Sequence, residues 1–239
     1  MNEQKLIIDW AHLPTYNTIM ALLTGVALIS IGNFGKQLAL KSSIKFQGWS
    51  INFAVLGSIL AITGFHMTLT WPLGNGFPWD NIIFGEPCAA LGVILLFVSF
   101  YLWKNKQQLA TSENPLQEIA SSFAPLNILF YALGLMLTAI FFAGVQFQFF
   151  AAPPQEPISG YFSKWPWLEA WGLSLVFLGI GICSFATPGF FASAQKNNYQ
   201  PNTIDKLLFA GLKITGWALL LFVALNYYTH IGLILHTVK

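Results

Sequence analysis

Six long apolar runs follow one another along the chain, separated by short polar or proline-rich stretches. Each run is close to the roughly 20 residues that a helix needs to cross ~30 Å of hydrocarbon. Helices satisfy their backbone hydrogen bonds internally, as lipid requires, and continuous runs differ from the short alternating segments of a barrel. The pattern predicts an all-α polytopic transmembrane helix bundle of about six helices, at residues 14–34, 49–71, 84–103, 125–150, 167–187 and 207–235.

The composition supports this prediction. The 239 residues are 55% hydrophobic and only 8% charged, whereas soluble domains carry about 25% charged residues. So few charges cannot cover a surface that faces water, and we therefore expect the lipid bilayer to be the main solvent. We predict a single integral membrane domain over residues 1–239.

The charge distribution predicts how the helices are oriented. We name the side of the N-terminus side A and the opposite side side B. All eleven basic residues are lysines, and no cluster of them suggests a nucleic-acid partner. Because most of them fall on side B, the positive-inside rule places side B in the cytoplasm and both termini on the non-cytoplasmic side of the cell membrane. The lysines assigned to side B are Lys36, Lys41, Lys45, Lys104, Lys106, Lys196 and Lys206.

A weak internal similarity predicts a duplicated helical hairpin. Residues 51–65 and 128–142 share six identities when they are aligned without gaps. The hairpins that contain them, residues 49–103 and 125–187, would then be an internal repeat. In that arrangement the second to fifth segments form a four-helix core, and the first and sixth segments flank it.

The second segment has two distinct faces. Ala54, Gly57, Ala61 and Gly64 recur at helical spacing and make a smooth face that lets another helix approach closely. His66 lies on a polar stripe near the side A end of the segment. It is either a histidine bonded to a neighbouring helix or a group that binds a ligand or handles protons.

His230 is predicted to lie at a similar depth in the last segment, so these two histidines form a second candidate site. Two imidazoles on different helices can ligate a haem iron axially, which makes haem b a candidate cofactor held by His66 and His230. A metal site that pairs His66 with a carboxylate is an alternative, but no tight ligand spacing supports it. Cys88 and Cys183 each lie inside an apolar run and are interpreted as packing residues.

The turn between the second and third segments contains the other candidates. Glu86 precedes a proline and is predicted to be the N-cap of the third helix, where the helix dipole favours a carboxylate. Its side chain is also long enough to reach toward His66. Asn81 is either a turn and capping residue or a ligand contact, and Trp71 either belongs to the interfacial belt or walls the site. The candidate ligand-binding residues are therefore His66, Glu86, Trp71 and Asn81.

The stretch GFHMTLTWPL followed by NIIFGEPCAALGVILL resembles an uncharacterised family of bacterial and archaeal polytopic membrane proteins, catalogued as a domain of unknown function. The resemblance is carried by TWPL at 70–73 and by the N-x-x-F-G-E-P element at 81–87. It is clear over residues 15–100, and the rest of the chain matches only as further helices. It implies a fold and a membrane location, without an activity.

These observations favour a non-enzymatic membrane protein that binds a small ligand or cofactor near side A, or that serves as a subunit beside other membrane proteins. The sequence contains neither a recognisable nucleophile–base pair nor a phosphate-cradling loop, the patterns that would indicate an enzyme. A haem- or metal-binding redox subunit that uses His66 and His230 is one alternative. A transporter or channel component is another, although no segment is obviously broken midway.

Overall fold

The computed structural model describes residues 8–10, 12 and 16–237. Its regular elements, within those residues, are all helical, as predicted. In chain order the α-helices are α1 (Asn17–Ala39), α2 (Phe46–Thr70), α3 (Asp80–Ile83), α4 (Gly85–Lys104), α5 (Lys106–Thr111), α6 (Pro115–Phe123), α7 (Asn127–Phe147), α8 (Pro166–Ala194) and α9 (Thr203–Thr237). Short 3₁₀ turns lie at Ala124–Leu126 and Ser159–Phe162.

Six stretches are long and apolar enough to cross a membrane, judged by length and composition. They are α1, α2, α3 with α4, α6 with α7, α8, and α9, so the predicted number of long helices is confirmed. The predicted start of the first segment, residue 14, lies outside the described residues. The fifth segment was expected to end before Pro188, but α8 continues to Ala194. The missing backbone N–H of a proline is tolerated inside a long apolar helix where neighbouring helices satisfy the freed backbone groups.

The long helices pack as a series of antiparallel neighbours in the order α4, α2, α1, α9, α8, α7. The expectation that the first and last segments flank a four-helix core is therefore wrong, because α1 and α9 lie between the two hairpins. Glycines allow α1 and α9 to pack closely against each other. A Cβ added at Gly25 would lie 2.9 Å from the Gly216 carbonyl oxygen, so the two backbones approach too closely for larger residues.

The smooth face predicted on α2 packs against α4. A Cβ added at Gly64 would lie 2.3 Å from the Ala89 backbone nitrogen. From the other helix, a Cβ added at Gly92 would lie 2.3 Å from the Ala61 backbone nitrogen. The small residues thus bring two backbones into direct contact, as that face of α2 predicted.

The internal repeat stays a prediction. Gly57 and Gly134 occupy the same position in the two aligned stretches, and each lies where its helix crosses a glycine of the next long helix. A Cβ added at Gly57 would lie 2.9 Å from the Gly92 oxygen, and one added at Gly181 would lie 3.3 Å from the Gly134 oxygen. This similarity agrees with a duplication without testing it.

Candidate functional site

The turn after α2 on side A is built on an unusual cap. Trp71 has a left-handed backbone (φ 48°), and its N–H donates to the Met67 carbonyl. Glycine is the usual residue in this conformation, yet Gly74 and Gly76 do not have positive φ. The Trp71 side chain is 48% exposed, which agrees with either of its predicted locations, an interfacial belt or the wall of a site.

Asn81 holds the two halves of this turn together. Its Oδ1 accepts from the Leu73 N–H at 3.2 Å, and its Nδ2 donates to the Pro78 carbonyl at 3.0 Å. Asn81 is only 1% exposed. The side chain thus links the TWPL stretch to the start of α3, which is the turn and capping role that the sequence offered as one alternative.

Replacing Asn81 by alanine should destabilise the protein by about 1–3 kcal/mol, because the buried Leu73 N–H would lose its acceptor. Thermal unfolding of the purified protein in a mild detergent would measure this effect. Asn75→Ala, at an exposed position of the same turn, is the matched control and should leave the unfolding temperature unchanged. An Asn81→Ala protein as stable as this control would show that the link is dispensable.

His66 is bound by the start of α1. Its Nδ1 lies 2.7 Å from the Tyr16 hydroxyl, and the two rings meet edge to face. This contact fits the first interpretation of His66, a histidine hydrogen-bonded to a neighbouring helix.

Glu86 lies in the first turn of α4, where the helix dipole favours its charge. The prediction that it is the N-cap is wrong, since Phe84 occupies that position. The short helix α3 ends immediately before Phe84, and α4 therefore begins at Gly85, two residues earlier than Pro87 suggested. Glu86 is exposed, and among the described contacts the hydrogen bond of His66 goes to Tyr16 instead.

His230 is bound by a different residue of α1. Its Nδ1 lies 3.1 Å from the Thr18 hydroxyl, and α1 packs against both α2 and α9. In the described part of the chain no contact joins the two imidazoles, and no three His, Cys, Asp or Glu side chains come together to hold a metal ion. The haem hypothesis stays a prediction that this arrangement does not test.

Sequence reasoning missed an apolar cavity inside the bundle. It has a volume of about 250 Å³ and lies between the long helices. We call it the central cavity. Its lining includes Leu28 and Leu38 of α1, Leu91 and Val98 of α4, Leu133 and Met136 of α7, Phe177 and Ile180 of α8, and Leu212 and Leu219 of α9. Side chains of α6 close its side B end, and Ile83 and Phe84 close its side A end.

The few polar side chains of the central cavity form hydrogen bonds with other protein groups. Ser184 donates to the Phe130 carbonyl at 2.8 Å, and Thr187 donates to the Cys183 carbonyl at 2.9 Å. Thr24 lies 3.5 Å from the Cys88 sulfur. Both cysteines are buried and free, as expected for packing residues. The cavity therefore offers water few partners and suits an apolar occupant.

The central cavity lies behind a seam between α4 and α7, the two ends of the helix series. These helices make no extended contact within the described residues. Aromatic pairs close the seam at its two ends. On side A, Trp79 stacks on Phe149 with ring centroids 5.5 Å apart, and on side B, Tyr101 meets Phe123 edge to face at 5.3 Å. Between these pairs, aliphatic residues of α4 and α7 line the cavity.

Together these observations define the class of protein: a bundle of six long apolar helices arranged around an apolar cavity. The chain belongs to the family described as Protein of unknown function (DUF981), whose model matches residues 13–232. The match extends well beyond the 15–100 stretch over which the resemblance is clear from motifs. A search of curated proteins and a search of solved structures each found no match.

Proposed function

We propose that this protein is a non-enzymatic, multi-pass membrane protein that binds a hydrocarbon-chain ligand in its central cavity. The observation that carries this proposal is the cavity itself, about 250 Å³ in volume and lined almost entirely by apolar side chains. Ligand pockets usually measure about 300–1,000 Å³. The central cavity lies just below this range and therefore suits a single narrow chain rather than a bulky ring system.

The energy of filling the central cavity supports an occupant. Lipid tails are as apolar as the cavity wall, so removal from water cannot drive a lipid into it. Dispersion contacts can, because the wall of an empty cavity lacks partner atoms on one side. At ~24 cal/mol per Å³, leaving 250 Å³ empty costs about 6 kcal/mol, a large share of the ~5–15 kcal/mol that stabilises a typical protein.

The seam between α4 and α7 supports a route of entry from the bilayer. A hydrocarbon chain can enter sideways between two helices without crossing a polar surface. The cavity lining contains no charged side chain among the described residues, and neither His66 nor His230 is part of it. These features favour an apolar ligand over an ion or a histidine-ligated haem.

The orientation that we propose follows the lysines. Side B carries most of them, in the last turn of α1 and the loop after it, at the junction of α4 and α5, in the loop after α8 and in the first turn of α9. Lysine-rich loops remain in the cytoplasm. We therefore propose that α6 lies at the cytoplasmic face and that both termini lie on the other side.

Photolabelling tests the proposed function. The protein would be reconstituted in phosphatidylcholine nanodiscs with a hexadecanol that carries a diazirine midway along its chain, and labelled residues would be identified by mass spectrometry. We expect labelling of cavity residues such as Leu28, Leu91 and Phe177, and we expect excess unmodified hexadecanol to suppress it. Labelling confined to outward-facing residues such as Ile62, without saturation, would contradict the proposal.

A further inference from the structure

A second pocket lies on side B, next to the central cavity. It measures about 270 Å³ and is formed by the end of α1, the start of α6 and the turn that follows α8. We call it the side B pocket. Two lysines, Lys41 and Lys196, line it together with Asn114, Asn197 and Asn198. Its described lining contains amide and ammonium groups and no carboxylate.

The side B pocket and the central cavity share part of their walls. Leu38 of α1 and Leu116 of α6 line both of them. A polar, positively charged pocket thus adjoins the apolar cavity at the side B end of the bundle. One molecule with a charged head and an apolar chain would place each part in matching surroundings.

We infer that the side B pocket binds a phosphate-bearing head of an amphiphile whose hydrocarbon chain occupies the central cavity. This inference rests on the proposed function. Lysine ammonium groups bind phosphate as point charges. The Lys41 ammonium is already held near the pocket, because its Nζ donates to Asn114 Oδ1 at 3.3 Å.

Three carboxylates lie close in sequence to the side B pocket: Glu113 is exposed, and the other two are engaged elsewhere. Glu118 accepts from the Ser112 hydroxyl and from Gln108 Nε2. Asp205 accepts from the Tyr199 hydroxyl at 2.9 Å and from the Asn202 N–H at 3.1 Å. Among the described residues neither Lys41 nor Lys196 forms an ion pair with Glu113 or with another carboxylate, so both lysines can bind an anionic ligand.

The opposite end of the central cavity disfavours an anionic head. Asn17 lies one helical turn before Ala21, and Ala21 lines the cavity. The Nδ2 of Asn17 donates to the Asp80 carboxyl group at 3.3 Å. Asp80 itself lies three residues before Ile83, another lining residue. A phosphate at this end would meet a carboxyl group, whereas at side B it meets two ammonium groups. The charge difference therefore orients the ligand with its head toward side B.

Competition against the photolabel would test the inference. Hexadecyl phosphate and hexadecanol have the same chain and differ only in the head. We expect hexadecyl phosphate to compete at a concentration about tenfold lower than hexadecanol, because charge-assisted hydrogen bonds contribute more binding free energy than neutral ones. Replacing both lysines, Lys41→Gln with Lys196→Gln, should remove this advantage and leave the competition by hexadecanol unchanged. Lys206→Gln, an exposed side B lysine outside the pocket, is the matched control and should keep it.

The possible outcomes separate the inference from the proposed function. Equal competition by the two amphiphiles, unaffected by the double variant, would overturn the inference while the proposed function stands. Failure of both amphiphiles to compete would overturn both. Inorganic phosphate that suppresses the photolabelling at the same concentration as hexadecyl phosphate would assign the pocket to free phosphate, and the link to the cavity ligand would be overturned.

Discussion

Replacing Gly92 by valine should force α2 and α4 apart and strongly destabilise the protein. A Cβ at this position would lie 2.3 Å from the Ala61 backbone nitrogen and 2.7 Å from the Ala61 Cα. These are backbone atoms, which cannot move away as the end of a flexible side chain can. Overpacking of a core usually costs about 1–3 kcal/mol, and we expect Gly92→Val to reach or exceed the upper value.

Thermal unfolding in a mild detergent would measure the effect of Gly92→Val. Gly172→Val is a suitable control, because it also introduces valine into a long helix and a Cβ there would meet nothing within 4 Å. The control should unfold within a few degrees of the wild type, while Gly92→Val should unfold far earlier or fail to accumulate. Similar unfolding temperatures for the two variants would show that α2 and α4 do not pack as closely as the structure has them.

Replacing Thr24 by phenylalanine should abolish binding in the central cavity. Thr24 is half-buried and lines the cavity from α1, and its hydroxyl makes only the long contact with the Cys88 sulfur. A phenyl ring would occupy space that the hydrocarbon chain needs and would supply the missing dispersion contacts itself. We expect saturable labelling by the diazirine probe to fall at least about tenfold, and the stability of the unliganded protein to stay the same or rise.

The control for Thr24→Phe places the same ring on the outer surface of the bundle. Ile62 of α2 is 70% exposed, so Ile62→Phe should leave saturable labelling unchanged. Full saturable labelling in Thr24→Phe, with the unfolding temperature of the wild type, would mean that the ligand lies elsewhere. A fall in labelling accompanied by a large loss of stability would be separated from true blocking by labelling at a temperature well below unfolding.

The helices themselves followed from the sequence. Their number and approximate positions could be predicted because a run of about 20 apolar residues has few alternatives to a helix in a membrane. The smooth face of α2 was also correct, since small residues at helical spacing serve close approach and little else.

The candidate site residues were harder to place, because their partners are far away in the chain. His66 is hydrogen-bonded to Tyr16 and His230 to Thr18. No local sequence pattern predicts either pair. Asn81 was easier, since its bonds to Leu73 and Pro78 lie within eight residues. Hydrogen bonds between residues close in the chain can be predicted from the sequence, whereas hydrogen bonds between helices depend on which helices pack side by side.

The sequence alone determined six apolar helices, their alternating direction and the close-packing face of α2. Only the tertiary structure decided that α1 and α9 lie in the middle of the series, and that α4 and α7 leave an apolar cavity behind their seam. The physical reason is that a lipid tail and a protein interior are equally apolar. An apolar helix face therefore looks the same in sequence whether it meets lipid, another helix or an internal cavity.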